Sequence, residues 1–310
     1  MRRMWLKKED TGKIWDVMPQ NPYVTEDGCF FAHPDGLGYE QDISQKQVNV
    51  DYFINEIKSK NHSIKVEAYF NGNEHLANFV SFIGDFSEQM NLYYSPDGSI
   101  DPYDMINKPY YKPVVISNFG RGEMNSAGFI VCEIEFTSQS DVWKKDYVYS
   151  FQTSGSSEEM QRLTYPYIYP YTFQGRQVVA LMIENDGRET GCEISIKNGS
   201  SSETISDPSW SIERTYTDKY GNEVNEVQKG KFFVEVGENE TVYVNSTDTA
   251  QEAKIVHSDS TSESIVSLQE PSWDYINFVR IKHGTNRIVF NISLIDVEIT
   301  VGYSQMKEVI

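Results

Sequence analysis

Apolar and polar positions alternate with a period of two along most of this chain, and one stretch that departs from the alternation organises the rest. From Ser63 to Ser95 the pattern predicts strand, helix, strand. Ile64, Val66, Ala68 and Phe70 alternate with Lys65, Glu67 and Tyr69, as in a half-buried strand. Asn71-Gly72 breaks the run. Leu76, Phe79, Val80 and Ile83 then fall at i, i+3, i+4 and i+7, one apolar stripe of a helix with Glu74, Asn78, Ser81 and Asp85 away from it. Asn71 or Asn73 is placed to cap this helix, and Gly84 to end it. Leu92-Tyr93-Tyr94 returns to an extended run, closed by a turn at Ser95-Pro96-Asp97-Gly98.

The flanking segments predict strands. Residues 4–17 form a short hairpin around Glu9-Asp10-Thr11-Gly12, and turn formers from Pro19 to Gly38 are interrupted by Phe30-Phe31. In residues 43–58, Val48, Val50, Tyr52 and Ile54 alternate as in a strand, whereas Ile54, Ile57 and Lys58 could begin a helical turn; we read one strand. Ile100–Lys112 is rich in Tyr, Pro and Asp and is taken as a loop or extended arm. Its Tyr103, Tyr110 and Tyr111 suit a contact surface, although a loop folded onto its own domain explains them equally. Val114–Ser117 and Ile130–Thr137 are strands around a turn over Asn118–Gly128, with Ile130, Cys132, Ile134 and Phe136 on one face.

A Ser/Gly/Glu-rich stretch at Gln152–Gln161 marks the domain boundary, giving domains over 1–150 and 151–310. The Tyr-Pro run from Tyr165 to Phe173 reads as an edge-like extended segment. Short strands then recur at Val178–Glu184, Cys192–Lys197, Phe232–Val236, Thr241–Val244, Phe278–Ile281, Arg287–Leu294 and Val297–Tyr303, with no helical pattern between them. That recurrence predicts an antiparallel sandwich. Ser206–Lys231, with Trp210, Tyr216 and the hairpin-like Asp218–Asn222, looks like an insertion in it.

Composition supports a mainly β protein: aromatics make up 13% of the chain and 20 residues are Tyr, which favour strands. The formal net charge of −19 argues against non-specific binding to DNA or RNA and against docking on anionic membranes, and no specific nucleic-acid binding is expected. The three cysteines are widely spaced and odd in number, so buried free thiols are expected rather than disulfides or a zinc site. Met1–Lys8 is basic but lacks a following apolar run, so no signal peptide is expected and synthesis is placed in a cytoplasm.

Candidate chemistry is sparse. The five histidines include no HxxxH, HxH or His-Asp pairing, so no metal or other cofactor is expected. No GxSxG, Walker loop or GxGxxG precedes a helix. Glu133 with Glu135, and Glu184 with Glu193, could imitate a glycosidase pair, but among 46 acidic residues such pairs arise on solvated strand faces, and no catalytic residue is assigned. Trp210, Tyr216, Tyr220, Trp273 and Tyr275 could stack on a sugar ring or contact a partner, and could equally be core or interface aromatics.

The order of features resembles the distal tail proteins (Dit) of long-tailed phages, most closely the baseplate-hub type of phages infecting lactococci and related Gram-positive hosts. Four stretches carry the resemblance: Phe30–Gly38; the strand–helix–strand from Ile64 to Tyr94; Phe119-Gly120-Arg121-Gly122 with Asn125-Ser126 leading into Ile130–Thr137; and the Tyr-Pro repeats with Ile183–Gly187 and Ile281–Ile288. Ile100–Lys112 is longer than the family's hairpin there, and Ser206–Lys231 has no counterpart. The resemblance implies an N-terminal β-sandwich-like ring domain with one helix, then a C-terminal galectin-like or carbohydrate-binding-module-like sandwich. It implies a structural virion protein at the tail tip: a homohexameric ring joining the tail tube protein to the tail-associated lysin or tip protein and anchoring receptor-binding or other baseplate proteins. DNA would pass through its acidic lumen. Tyr93, Tyr103, Tyr110 and Tyr111 become candidates for the ring interface, and Trp210, Tyr216, Tyr220 and Trp273 for contact with a partner or a cell-wall saccharide. The alternative is a carbohydrate-binding adhesin.

Overall fold

The computed structural model describes residues 3–17, 28–38, 41–48, 51–59, 63–96, 109–153, 171–173, 176–292 and 296–310. The described residues are mainly β with one α-helix, and the chain divides into two compact units, Met1–Lys145 with Lys307–Ile310, and Asp146–Met306.

In the first unit, β1 (Arg3–Lys7), β2 (Ile14–Asp16), β3 (Cys29–Asp35), β4 (Gln41–Val48), β5 (Asp51–Ser59) and β6 (Ser63–Asn71) precede α1 (Gly72–Ile83). The strands β7 (Met90–Ser95), β8 (Tyr110–Met124) and β9 (Phe129–Ser138) follow it. The long strand β8 joins two antiparallel runs. Its first residues, Tyr110–Val114, pair with β7, which leads on to β1 and β2. From Val114 onward it pairs with β9, which leads on to β6 and β3. Register shifts between Ile116 and Asn118 and between Arg121 and Met124 are bulges, which bend a strand and let one segment serve both runs.

The helix buries its predicted stripe: Leu76, Phe79 and Ile83 are in the core and Val80 packs half-buried against it. Phe79 is the centre, with the rings of Trp15, Phe31, Phe70, Phe82 and Phe119 at centroid distances of 5.1 to 6.5 Å. Ile130, Cys132, Ile134 and Phe136 share the buried face of β9, as their alternation predicts. Asn71 holds the N-cap position but makes no side-chain capping bond, while Asn73 accepts a hydrogen bond from Arg121 Nη2 at 3.1 Å. Gly84 ends the helix at φ +66°, its N–H donating to Val80 O.

Two expectations for this unit are corrected. Residues 43–58 are not one strand: β4 and β5 pair with each other from Gln41↔Ser59 to Val48↔Asp51, a two-stranded hairpin. The expected turn over Asn118–Gly128 shrinks to Asn125–Gly128, because β8 continues to Met124. Polar neighbours hid that continuation, but Phe119 anchors it by packing on Phe79 and Phe86.

The strand β10 (Trp143–Thr153) begins in the first unit and ends in the second. There follow β11 (Tyr171–Phe173), β12 (Arg176–Asn185), β13 (Thr190–Asn198), β14 (Ile205–Ser206), β15 (Ser209–Thr217), β16 (Glu223–Lys231), β17 (Glu235–Val236) and β18 (Thr241–Thr247). The last are β19 (Ala250–Val256), β20 (Ser262–Ser264), β21 (Arg280–Ile281), β22 (Gly284–Asn291) and β23 (Val297–Lys307). Within this unit one sheet has the order β10-β23-β13-β18-β19-β20 and the other β11-β12-β22-β15-β16. They share a core to which Ile183, Trp210, Ile288 and Phe290 contribute from one side and Ile194, Val242, Ile255 and Ile299 from the other.

The segment Ser206–Lys231, read from the sequence as an insertion, is built into the second sheet. Its strands β15 and β16 form a nine-pair hairpin, and β15 pairs with β22 inside the second sheet. Phe232–Val236 forms only the short β17, with Phe232 bridging to Gln269. The polar run after Val244 contains β19, whose Ala253 and Ile255 point inward between Glu252, Lys254 and Val256.

Lys112 on β8 is fully buried, its Nζ 5.1 Å from the Trp143 ring centroid. Burial pushes its pKa down to about 8, against the opposing pull of Asp141. The unfolded chain thus holds more protons between pH 8 and about 10.4, so the wild type gains stability across that window. Lys112→Met should be more stable than wild type by about 1–3 kcal/mol at pH 7. Its advantage should shrink as pH rises from 8 toward 10.5. Thermal unfolding across this range checks both; a gap that stays constant with pH would refute the assignment.

Candidate interaction surfaces

Among the described residues the titratable groups do not converge on a chemical site. His33 Nδ1 lies 3.1 Å from Glu67 Oε2, His257 Nδ1 2.6 Å from Glu240 Oε1, and His283 Nδ1 3.1 Å from Gly187 O. The Glu240 contact raises the pKa of His257, and the same bond, with the Gly237 N–H, lowers that of Glu240. Among the described residues no three His, Cys, Asp or Glu side chains are grouped to hold a metal ion. Glu133 is exposed on β9 of the first unit and Glu184 exposed on β12 of the second, while Glu193 accepts a hydrogen bond from Asn245. Cys29, Cys132 and Cys192 are buried free thiols.

What the molecule offers instead is surface. The β4–β5 hairpin pairs with no other described strand, and every one of its residues whose side chain is described is exposed. Its register sets Gln45 opposite Ile54, two residues along β4 from Ile43, which puts positions 43 and 54 on one face. Ile43 is 49% and Ile54 58% exposed. An isolated two-stranded hairpin is marginal in water, so an amphipathic one with its apolar face open lacks the support that a third strand or a packed layer supplies. Sequence reasoning missed this element because the alternation of its two strands ran together across residues 49 and 50.

A second feature lies across β1, β7 and β8. Trp5, Tyr93 and Tyr111 are register partners and form an aromatic ladder: Trp5 and Tyr93 stack at 5.6 Å, and Tyr93 and Tyr111 meet at 5.4 Å. Tyr93 and Tyr111 are half-buried. Tyr110 instead lies under the ammonium groups of Lys145 and Lys307. Tyr103 lies outside the described residues. Tyr110–Lys112 belong to a strand, not to the arm expected there.

In the second unit the candidate aromatics part company. Trp210 is 1% exposed and stacks on Phe232, so it cannot face a ligand. Its indole occupies the space over Gly230, its register partner, where a Cβ would stand 2.6 Å from the ring. Tyr216 is half-buried with the Arg214 guanidinium over its ring at 4.4 Å. Tyr220 is 77% exposed in the turn organised by Asp218, and Trp273 is 95% exposed. Trp273 does not project from a loose loop. The Ile276 and Asn277 N–H groups donate to Lys229 O, Asn277 Nδ2 donates to Glu270 O, and Asn277 Oδ1 accepts from Lys231 N–H.

Residues 10–139 match the family described as Distal tail protein, N-terminal domain. That span runs from the turn before β2 through β9 and lies within the first unit. The whole chain is similar in fold to two solved phage proteins. One is a chain of the phage P2 baseplate in its activated conformation with calcium, at a TM-score of 0.53 and 14% identity, with 100% of each chain covered. The other is the Dit protein of phage SPP1, described as a paradigm of the hub adsorption apparatus in phages infecting Gram-positive hosts. It matches at a TM-score of 0.55 and 11% identity, with 99% of each chain covered. At such identities the likeness is one of fold. No curated protein matches the chain by sequence.

The two tryptophans separate core from surface. Trp210→Ala should lower stability by about 3–5 kcal/mol, whereas Trp273→Ala should stay within about 0.5 kcal/mol of wild type. Denaturant unfolding of both variants tests this; comparable losses would mean that Trp273 is structural.

Proposed function

We propose that this chain is a distal tail protein serving as the hub of a phage baseplate, of the type found in phages of lactococci and related Gram-positive hosts. The first unit builds a homohexameric ring between the tail tube protein and the tail-associated lysin or tip protein. The second is a galectin-like sandwich that anchors receptor-binding or other baseplate proteins. The observation that carries this reading is the β4–β5 hairpin, a long arm that joins no further strand among the described residues and exposes Ile43 and Ile54. A head-to-tail contact that closes on itself gives such an arm a layer to pack on in every copy. The match of residues 10–139 supports the same reading, and the half-buried ladder of Tyr93 and Tyr111 is a further candidate for the ring contact.

Native mass measurement or negative-stain imaging should show rings of about six subunits, as heterologous closure requires. Replacing residues 41–59 by a short Gly-Ser linker should leave a folded protein that stays monomeric. A wild type that remains monomeric at high concentration would sink the ring, and a shortened variant that assembles equally well would remove the hairpin from it.

A carbohydrate-binding adhesin is the second reading, favoured by the exposure of Trp273 and Tyr220 and no longer by Trp210. It predicts binding to host cell-wall glycan that falls at least tenfold, about 1.4 kcal/mol, on Trp273→Ala. Wild type and variant showing the same retention in a cell-wall pull-down would end it.

A further inference from the structure

We propose that the groove between α1 and β8 receives the β4–β5 hairpin of a second copy of this chain. The groove has a volume of about 430 Å³ and is lined by Leu76, Ala77, Val80 and Phe119, with Asn73 and Arg121 as its polar members. It belongs to the helix stripe that covers the core: Leu76 is buried, Val80 and Phe119 are half-buried and Ala77 is exposed, so apolar surface continues from the core to the solvent.

The hairpin presents what this groove lacks. Ile43 and Ile54 occupy diagonal positions on one face, about 7–8 Å apart by the geometry of antiparallel pairs. Residues 73–80 of the helix span about 10 Å at its rise per residue, enough to take both side chains. Within one copy no described strand pairs with the hairpin, Ile43 and Ile54 are 49% and 58% exposed, and neither is among the residues that line the groove. Donor and acceptor are therefore different patches of the same molecule, the arrangement that generates rings or filaments rather than two-fold dimers. The apolar pair sits in the groove, and exclusion of water from Ile43, Ile54, Val80 and Phe119 drives the contact. This rests on the ring-forming reading above and names the surface on which one subunit receives the next.

A disulfide tests it. Ile54→Cys and Val80→Cys are combined in the full chain and oxidised with copper–phenanthroline, with each single variant as control; the native thiols are buried. The expected result is a non-reducing ladder of covalent dimers up to the closed ring, absent from both single variants. Ala77→Arg, an exposed helix position, should keep the melting temperature of the isolated subunit and weaken assembly at least tenfold. Rings seen by imaging without cross-links, and unaffected by Ala77→Arg, would overturn the groove while leaving the ring. A cross-link confined to single chains would place the hairpin on its own helix and overturn the proposal. A wild type that is monomeric under every condition would remove the ring and the groove together.

Discussion

Phe79 is the residue on which the first unit depends. One side of α1 has to cover the junction where β8 passes from one strand run to the other, and Phe79 fills that junction with five aromatic rings around it. Those rings come from β2, β3, β6, α1 itself and β8, so a single side chain ties the hairpin at the N-terminus to the strands that follow the helix. Aromatic rings bury large areas and keep preferred angles, which fixes the helix axis as well as its depth. The bulges in β8 belong to the same constraint, since the strand has to bend to bring Phe119 onto Phe79.

The second unit solves its packing differently. Its core is mostly aliphatic, with Trp210, Phe232 and Phe290 as the large fillers, and a glycine opposite Trp210 makes room for the indole. The hairpin β15–β16 is therefore as central to this core as any other strand pair. Cys192 is sealed inside it, where burial raises its pKa to about 11 and Ser246 Oγ bridges to the carbonyl groups of Cys192 and Val279. A thiol held there stays protonated and inert.

The sequence disclosed the elements whose partners lie on a regular period and concealed those whose partners come from elsewhere. The helix stripe, β6 and the face of β9 follow local alternation, so Leu76, Phe79, Ile83 and Ile130–Phe136 could be placed from spacing alone. Asn118–Met124 could not, because Gly120, Arg121 and Gly122 look like a turn and the strand is sustained by pairing with β9. The same holds for β15, where Trp210 has the look of a surface aromatic until the register sets it over Gly230. The hairpin β4–β5 was hidden because the alternation of its two strands runs together across residues 49 and 50, so that two strands read as one. A surface candidate is legible only where an apolar side chain stands in water without an internal reason to do so. That is a property of the folded chain, and it separates Trp273 from Trp210.

The clamp around Asn277 carries a last consequence. This buried residue sits at φ +61°, a region that asparagine tolerates better than most, and its side chain bonds in both directions to the neighbouring strand and turn. The turn that displays Trp273 is thereby set during folding, and the loop-ordering entropy is lost once, in the folding of the domain. The indole of Trp273 therefore stands on a turn already fixed by hydrogen bonds, so displaying it costs no further ordering of the chain.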